Sequence, residues 1–179
     1  MSSQPVIKNV AATDLRQVLQ AALQAAAEFG ATAAEADIGT GYGLSVSVRQ
    51  GEPENVEHQR DKALSLTVYV GQRKGSAATT DLGLKAVRET ALSACNIARH
   101  ASPDPCAGLL DASRLAGEIL DLELMHPWDI TPDDAIDLAI GCEREALAAD
   151  RRITNSDGAL VSTYTGCHWY ANSNDFIGG

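Results

Sequence analysis

The sequence predicts an α+β fold, an antiparallel β-sheet with helices packed mainly on one face. Three observations predict it. Three segments place apolar residues at helical spacing. Between them, several segments in succession alternate apolar and polar residues with period two. The turns joining these strand-like segments are short and polar, which makes a meander rather than a parallel βαβ unit.

The elements follow in order. Met1 to Val10 is polar and reads as loose. Thr13 then suits an N-cap, with Asp14 in the first turn. Leu15, Val18, Leu19, Ala22, Leu23 and Ala26 follow at helical spacing, Phe29 closes the stripe and Gly30 stops it, so the first helix covers 13–29. Ala36 and Ile38 suggest a short strand. Leu44, Val46 and Val48 alternate with Ser45, Ser47 and Arg49 in a half-buried one. Gly51 marks a tight turn. Glu52 to Gln59 returns as a polar strand, with Pro53 arguing for an edge or a strand start. Leu64, Leu66, Val68 and Val70 alternate with Ser65, Thr67 and Tyr69 in a further strand. Gln72 and Arg73 form a turn, and Gly75 to Thr79 another strand.

Thr80 or Asp81 caps a second helix over 82–100, with Leu84, Val87, Ala91, Cys95 and Ala98 on one face. Ser102-Pro103-Asp104-Pro105 ends it, because proline cannot continue a helix and restricts the residue before it. Residues 101–130 read as a mostly irregular crossover, with a short helix within Leu109 to Leu115. Thr131-Pro132-Asp133-Asp134 starts the third helix, over 132–149. Threonine caps it, proline fits the first turn, and the carboxylates suit the positive end of the dipole. Ile136, Ala139, Ile140 and Leu147 form its apolar face. Asn155-Ser156-Asp157-Gly158 is a turn. Leu160 to Tyr164 and His168 to Asn172 read as two strands around Thr165-Gly166. The final Asp175-Phe176-Ile177-Gly178-Gly179 reads as mid-domain sequence, so the chain is expected to be a piece of something longer.

The bulk numbers narrow the function. The 179 residues suffice for a core without disulfide staples. Aromatic residues are 4% of the chain, so that core rests on Leu, Ile, Val and Ala. Fourteen basic residues face 24 acidic ones, a net charge of −10. That is the opposite of the basic footprint a nucleic-acid binder needs, and an anionic membrane repels it. Cys95, Cys106, Cys142 and Cys167 form no Cys-x-x-Cys pair and match no zinc-module spacing. With no secretory signal and no apolar run of transmembrane length, reduced thiols in a cytoplasm are the simplest reading.

Candidate chemistry is sparse. His58, His100, His126 and His168 make neither His-x-x-x-His nor His-Glu-x-x-His. Cys167 and His168 are strand neighbours and point to opposite faces. Cys106, six residues after His100 in a Pro-Asp-Pro loop, is the best thiol candidate, because a reactive thiol needs a base beside it; its bland reading is a small side chain anchoring an irregular segment. Cys95 and Cys142 fall on helix faces as packing residues. Asp133 and Asp134 have a sufficient job at a helix start, and Glu52, Glu54 and Glu57 lie on a solvated strand face. Gly39, Gly41 and Gly43 form a Gly-x-Gly-x-Gly run with no helix following to hold phosphate, which favours a glycine-rich turn or bulge. Arg73-Lys74-Gly75-Ser76 is a small basic spot in a hairpin. No catalytic, cofactor-binding or metal residue is assigned.

Particular words of the sequence carry a resemblance. They are Glu54-Asn55-Val56-Glu57, Leu66-Thr67-Val68-Tyr69, Arg73-Lys74-Gly75-Ser76-Ala77 and Thr79-Thr80-Asp81-Leu82. Further on come Ile97-Ala98-Arg99, Ser102-Pro103-Asp104-Pro105-Cys106-Ala107-Gly108, Asp121-Leu122 leading to His126-Pro127, Pro132-Asp133-Asp134-Ala135, and Arg152-Ile153-Thr154-Asn155. In this order and spacing they resemble the N-terminal region of the PmbA-type (TldE-type) branch of the TldD/PmbA family. The family is also known as peptidase family U62 and as modulators of DNA gyrase. The resemblance implies a cytoplasmic, longer protein of which residues 1–179 are the N-terminal domain and whose C-terminal domain is absent here. It also implies pairing with a TldD-type subunit into a heterodimeric zinc metallopeptidase. That complex acts on unfolded peptides in proteolysis, peptide maturation and antitoxin degradation, extending a sheet with the substrate backbone. The family's metal motif, His-Glu-x-x-x-His, belongs to the TldD-type subunit and does not occur in this sequence, so the implied zinc sits in the partner and this chain is a non-catalytic subunit.

Two other readings stand beside it. One is a protein-interaction module, modulating a partner such as DNA gyrase or a toxin–antitoxin system without a protease. The other is a thiol enzyme using Cys106 and His100.

Overall fold

A computed structural model describes residues 12–179, with side chains from Asp14 onward; Met1 to Val10 and the Thr13 side chain lie outside what is described, and the first helix begins at Ala12, so Thr13 falls inside it rather than before it. The element order is α1 (Ala12–Glu28), β1 (Ala33–Arg49), β2 (Glu52–Val70), β3 (Arg73–Thr79), α2 (Leu84–His100), a 3-10 turn (Ala112–Arg114), α3 (Pro132–Ala148), β4 (Ala159–Asn172) and β5 (Ile177–Gly178). The strands form one antiparallel sheet in the order β3-β2-β1-β4-β5, so the α+β expectation holds. Two compact units share these strands. The first takes the chain up to Thr40, Lys62–Asp121 and Cys167–Gly179, and the second takes Gly41–Asp61 and Leu122–Gly166.

In the first unit, α1 buries Leu15, Leu19, Ala22 and Ala26, and α2 buries Val87, Ala91, Ala94, Cys95 and Ala98. Both stripes recur at three and four residues, as one face of a helix requires. They pack on Ala34, Ala36 and Ile38 of β1 and on Leu64, Leu66 and Val68 of β2. The small side chains of α1 and α2 bring the helices close, and the Cys95 thiol reaches the Ala26 carbonyl at 3.8 Å. Helix α1 ends in a Schellman turn: Gly30 takes φ +85°, and the Ala31 N–H donates to the Ala26 carbonyl at 3.0 Å. Strand β3 lies close against α2. A Cβ at Gly75 would overlap the Ala94 carbonyl oxygen and the Ala98 nitrogen, so only glycine fits there.

In the second unit, α3 packs Ala135 and Ala139, flanked by Ile136 and Ile140, on Leu44, Val46 and Val48. Its start is as the sequence predicts. The Thr131 hydroxyl accepts from the Asp134 N–H at 3.1 Å and donates to the Asp134 carboxylate at 2.6 Å. One turn beyond Ala139, the same face carries a buried Glu143. Its two oxygens accept from the N–H groups of Gln50 and Gly51, at 2.9 and 2.8 Å. Those residues form the β1–β2 turn with φ of 52° and 78°, the left-handed pair a two-residue hairpin demands. The Gly51 and Gln50 hydrogen bonds hold the Glu143 carboxyl below its ordinary pKa, against the opposing effect of desolvation.

Several details differ from the sequence reading. Residues 33–49 form one strand, not two, and the Gly39-x-Gly41-x-Gly43 run lies inside it rather than in a turn. Tyr164 explains why. Its ring covers Gly41, where a Cβ would overlap it, and Gly43 sits against the Thr163 carbonyl. An aromatic ring on a strand glycine restores contacts that glycine lacks. Likewise 52–70 and 159–172 are each continuous. Helix α2 begins at Leu84 with Gly83 as cap. Asp81 instead accepts from the Gly83 N–H at 2.8 Å in a turn before the helix, and Leu84 is exposed. Arg73 belongs to β3, the turn before it being Gly71-Gln72 with Gly71 at φ +60°. Cys142 is exposed on α3 rather than packed.

Gly75→Ala should cost about 1–3 kcal/mol, because the added methyl must push β3 from α2. A urea titration of both proteins checks it as a lower midpoint with an unchanged slope.

Candidate functional site

The residues singled out from the sequence do not converge. Cys106 is exposed in the loop after α2, its N–H bound to the Asp104 carboxylate at 2.9 Å. Asp104 in turn donates its N–H to the Gln72 carbonyl at 2.8 Å, which pins the loop to the β2–β3 turn. His100 ends α2, exposed, and no hydrogen bond joins it to Cys106 among the described residues. Cys95 is buried, and burial pushes its thiol pKa up, the wrong direction for a nucleophile. Asp133 and Asp134 serve the start of α3. Arg73 caps the end of α2, its guanidinium donating to the Arg99 carbonyl at 2.8 Å. Glu52, Glu54 and Glu57 are exposed on β2.

What the structure does assemble is a polar row on the first unit's strands, opposite the side chains that pack on α1 and α2. Glu35 on β1 is its centre. One carboxylate oxygen accepts from the Tyr69 hydroxyl of β2 and the other from the Tyr170 hydroxyl of β4, each at 2.9 Å. Asn172 donates to the Tyr170 oxygen at 3.3 Å and accepts from the Asn174 N–H at 3.0 Å. Two residues along β1, Asp37 lies 3.9 Å from His168 of β4. Strand alternation places these side chains: Glu35 and Asp37 interleave with buried Ala34, Ala36 and Ile38, and Tyr69 follows buried Val68.

Desolvation, then the neighbouring Glu35 carboxylate, pushes the Tyr69 hydroxyl up to about 12. Tyr170 is also raised, first by desolvation. Both phenols therefore keep their protons at neutral pH and act as donors. Glu35 already holds two of them. The row is a hydrogen-bonding platform that fixes β2, β1 and β4 side by side, with no nucleophile activated in it. Sequence reading placed Tyr69 and Tyr170 on strands but passed over Glu35; the signal was a carboxylate inside an otherwise apolar alternation.

A family zinc does not fit the described residues. No group of three or more His, Cys, Asp and Glu side chains comes together to hold a metal ion. The carboxylates of low exposure are engaged: Glu35 by tyrosines, Glu143 by backbone amides, Asp150 by Arg152, and Asp37 beside a single histidine, His168. No helix among the described residues is long and apolar enough to cross a membrane.

A second feature is apolar. The crossover between α2 and α3 exposes Ile119, Leu120, Leu122, Leu124, Met125 and Trp128, with Leu124 at 81% exposure. Scattered apolar residues are ordinary on a surface, but this irregular stretch exposes them in close succession along the chain.

Fold and surface together define an antiparallel sheet with helices on one face and a hydrogen-bonded polar row on the other in the first unit. Residues 34–98 match the PmbA/TldA metallopeptidase domain 1 and residues 126–179 the PmbA/TldA metallopeptidase central domain. The chain belongs to the PmbA/TldD metallopeptidase family. It is 44% identical to the Metalloprotease PmbA of Escherichia coli O157:H7, over 92% of this chain and 37% of that protein. It is also 44% identical to the Metalloprotease PmbA homolog of Haemophilus influenzae, over 92% of this chain and 36% of that one. The chain thus spans little more than a third of the length of these relatives. Among solved structures it resembles a proposed modulator of DNA gyrase from Bacteroides thetaiotaomicron, with TM-score 0.76 and 26% identity over 93% of this chain and 38% of that one. It shares its fold with TldE from Thermococcus kodakarensis, at TM-score 0.66 and 17% identity over 90% of this chain and 36% of that one.

The raised Tyr69 pKa has a consequence for stability. The folded chain holds this proton more tightly than the unfolded chain, whose tyrosines titrate near 10. The stabilisation is complete below about pH 10 and is lost as pH rises through about 12. Denaturation midpoints measured from pH 9 to 12 should fall more steeply for the parent than for Tyr69→Phe.

Proposed function

We propose that this chain is the N-terminal part of a non-catalytic, PmbA-type subunit of a cytoplasmic zinc metallopeptidase. A TldD-type partner holds the zinc, and the assembled complex cleaves unfolded peptides. The observation that carries the reading is the exposed apolar run of the crossover, Leu120, Leu122, Leu124 and Trp128, on a chain of a metallopeptidase family. A surface of that kind is expected where one subunit or domain covers another. The engagement of Glu35 and Glu143 supports the same reading, since carboxylates held by tyrosines and amides are poor metal ligands. In the complex this chain supplies walls and contacts, and the partner supplies the Lewis acid.

Reconstitution tests it. The full-length protein mixed with a TldD-type chain should cleave an unfolded peptide such as reduced casein, and a chelator should abolish the cleavage. The protein alone should cleave at the background rate. Equal cleavage by the protein alone would refute the proposal.

A further inference from the structure

The outer edge of β2 is paired along only part of its length. Strand β3 covers Leu64 to Val70, with Leu64 opposite Thr79 and Val70 opposite Arg73. In the strand order, β2 has β3 as its only neighbour on that side. Residues 52–63 therefore present one edge of main-chain groups, complete but for the N–H that Pro53 lacks, with no strand partner among the described residues, and every one of these side chains is exposed. An open edge of this length is a template for another strand.

Its side chains say which strand. Period two puts Glu52, Glu54, Val56, His58, Arg60 and Lys62 in one row, acidic at the hairpin end and basic toward β3. Among the described residues, Glu52, Glu54, Arg60 and Lys62 enter no ion pair. A row that changes sign along its length is complementary to itself when reversed. We propose that a second copy of this chain docks here antiparallel, Glu57 opposite Glu57, so that the two sheets join through their β2 strands. Glu52 then faces Lys62 of the other copy, Glu54 faces Arg60, and Val56 faces His58, each pair occurring twice about the twofold axis.

The open stretch also sets the register. A shift of two residues toward β3 would place Glu52 opposite Leu64, where Thr79 already sits. A shift of two the other way leaves Lys62 with no carboxylate opposite. In the remaining register the Gln50-Gly51 turn of each copy ends where β3 of the other begins. The one opposed contact is Glu57 with Glu57, on the other row, where the Asn55 side chain donates to Glu57 at 2.8 Å and draws off part of its charge. This pairing is independent of the peptidase reading.

Sedimentation of the chain over a range of concentrations tests the proposal. The parent should form a dimer that loosens as salt rises. Glu54→Arg and Arg60→Glu should each weaken it about tenfold, because two attractions per dimer become repulsions. The double variant carrying both changes should return to within about threefold of the parent. Under mild oxidation Glu57→Cys should give a dimer that peptide mapping shows to be linked through the introduced thiols of the two copies, a link the parent cannot form. A monomer at every concentration, a double variant no better than the singles, or linkage of the introduced thiol only to a different protein would each overturn it.

Discussion

A β-strand offers its side chains to two faces by turns, and the structure depends on which face each strand gives to its apolar residues. In the first unit, Ala34, Ala36, Ile38, Leu64, Leu66 and Val68 take the face that receives α1 and α2. The residues between them carry Glu35, Asp37 and Tyr69 and build the polar row. In the second unit, Leu44, Val46 and Val48 receive α3. A slip of one residue in any of these strands would bury carboxylates and expose the core, so register is fixed by a large penalty rather than by any single bond. The two tyrosines on Glu35 add lateral pins to the first unit. Glu143 adds one to the second, holding a turn whose first residue, Gln50, is a strained choice for a left-handed position.

The helices and the strand pattern were legible in the sequence, because both rest on periodicity. The Thr131-Pro132-Asp133-Asp134 start and the Gly30 stop were legible because caps use few residue types. The unity of β1 was not. A run with glycine at 39, 41 and 43 reads as a turn until Tyr164, distant in sequence, is placed over Gly41. The same holds for β4, where Thr165-Gly166 reads as a break but lies within a strand. Glu143 escaped notice because a glutamate on a helix is ordinarily solvated; only the fold brings two orphan amides to it.

The candidate site divides in the same way. Sequence words were enough to point to the family, since Ser102-Pro103-Asp104-Pro105-Cys106 is a loop with a specific job: Asp104 tethers it to Gln72 and turns the chain toward Cys106. They were not enough to reveal the Glu35 row, whose members stand at positions 35, 69, 170 and 172 and meet only through strand pairing. Both features are scaffolding. They order strands and loops.

Zinc binding by the purified chain is the most direct check on the proposed division of labour between this chain and a zinc-holding partner. Titration calorimetry with zinc at neutral pH, with metal content measured after gel filtration, should find no stoichiometric, tightly held ion. One zinc per chain surviving gel filtration, lost on substitution of a histidine or carboxylate of this chain, would contradict the account.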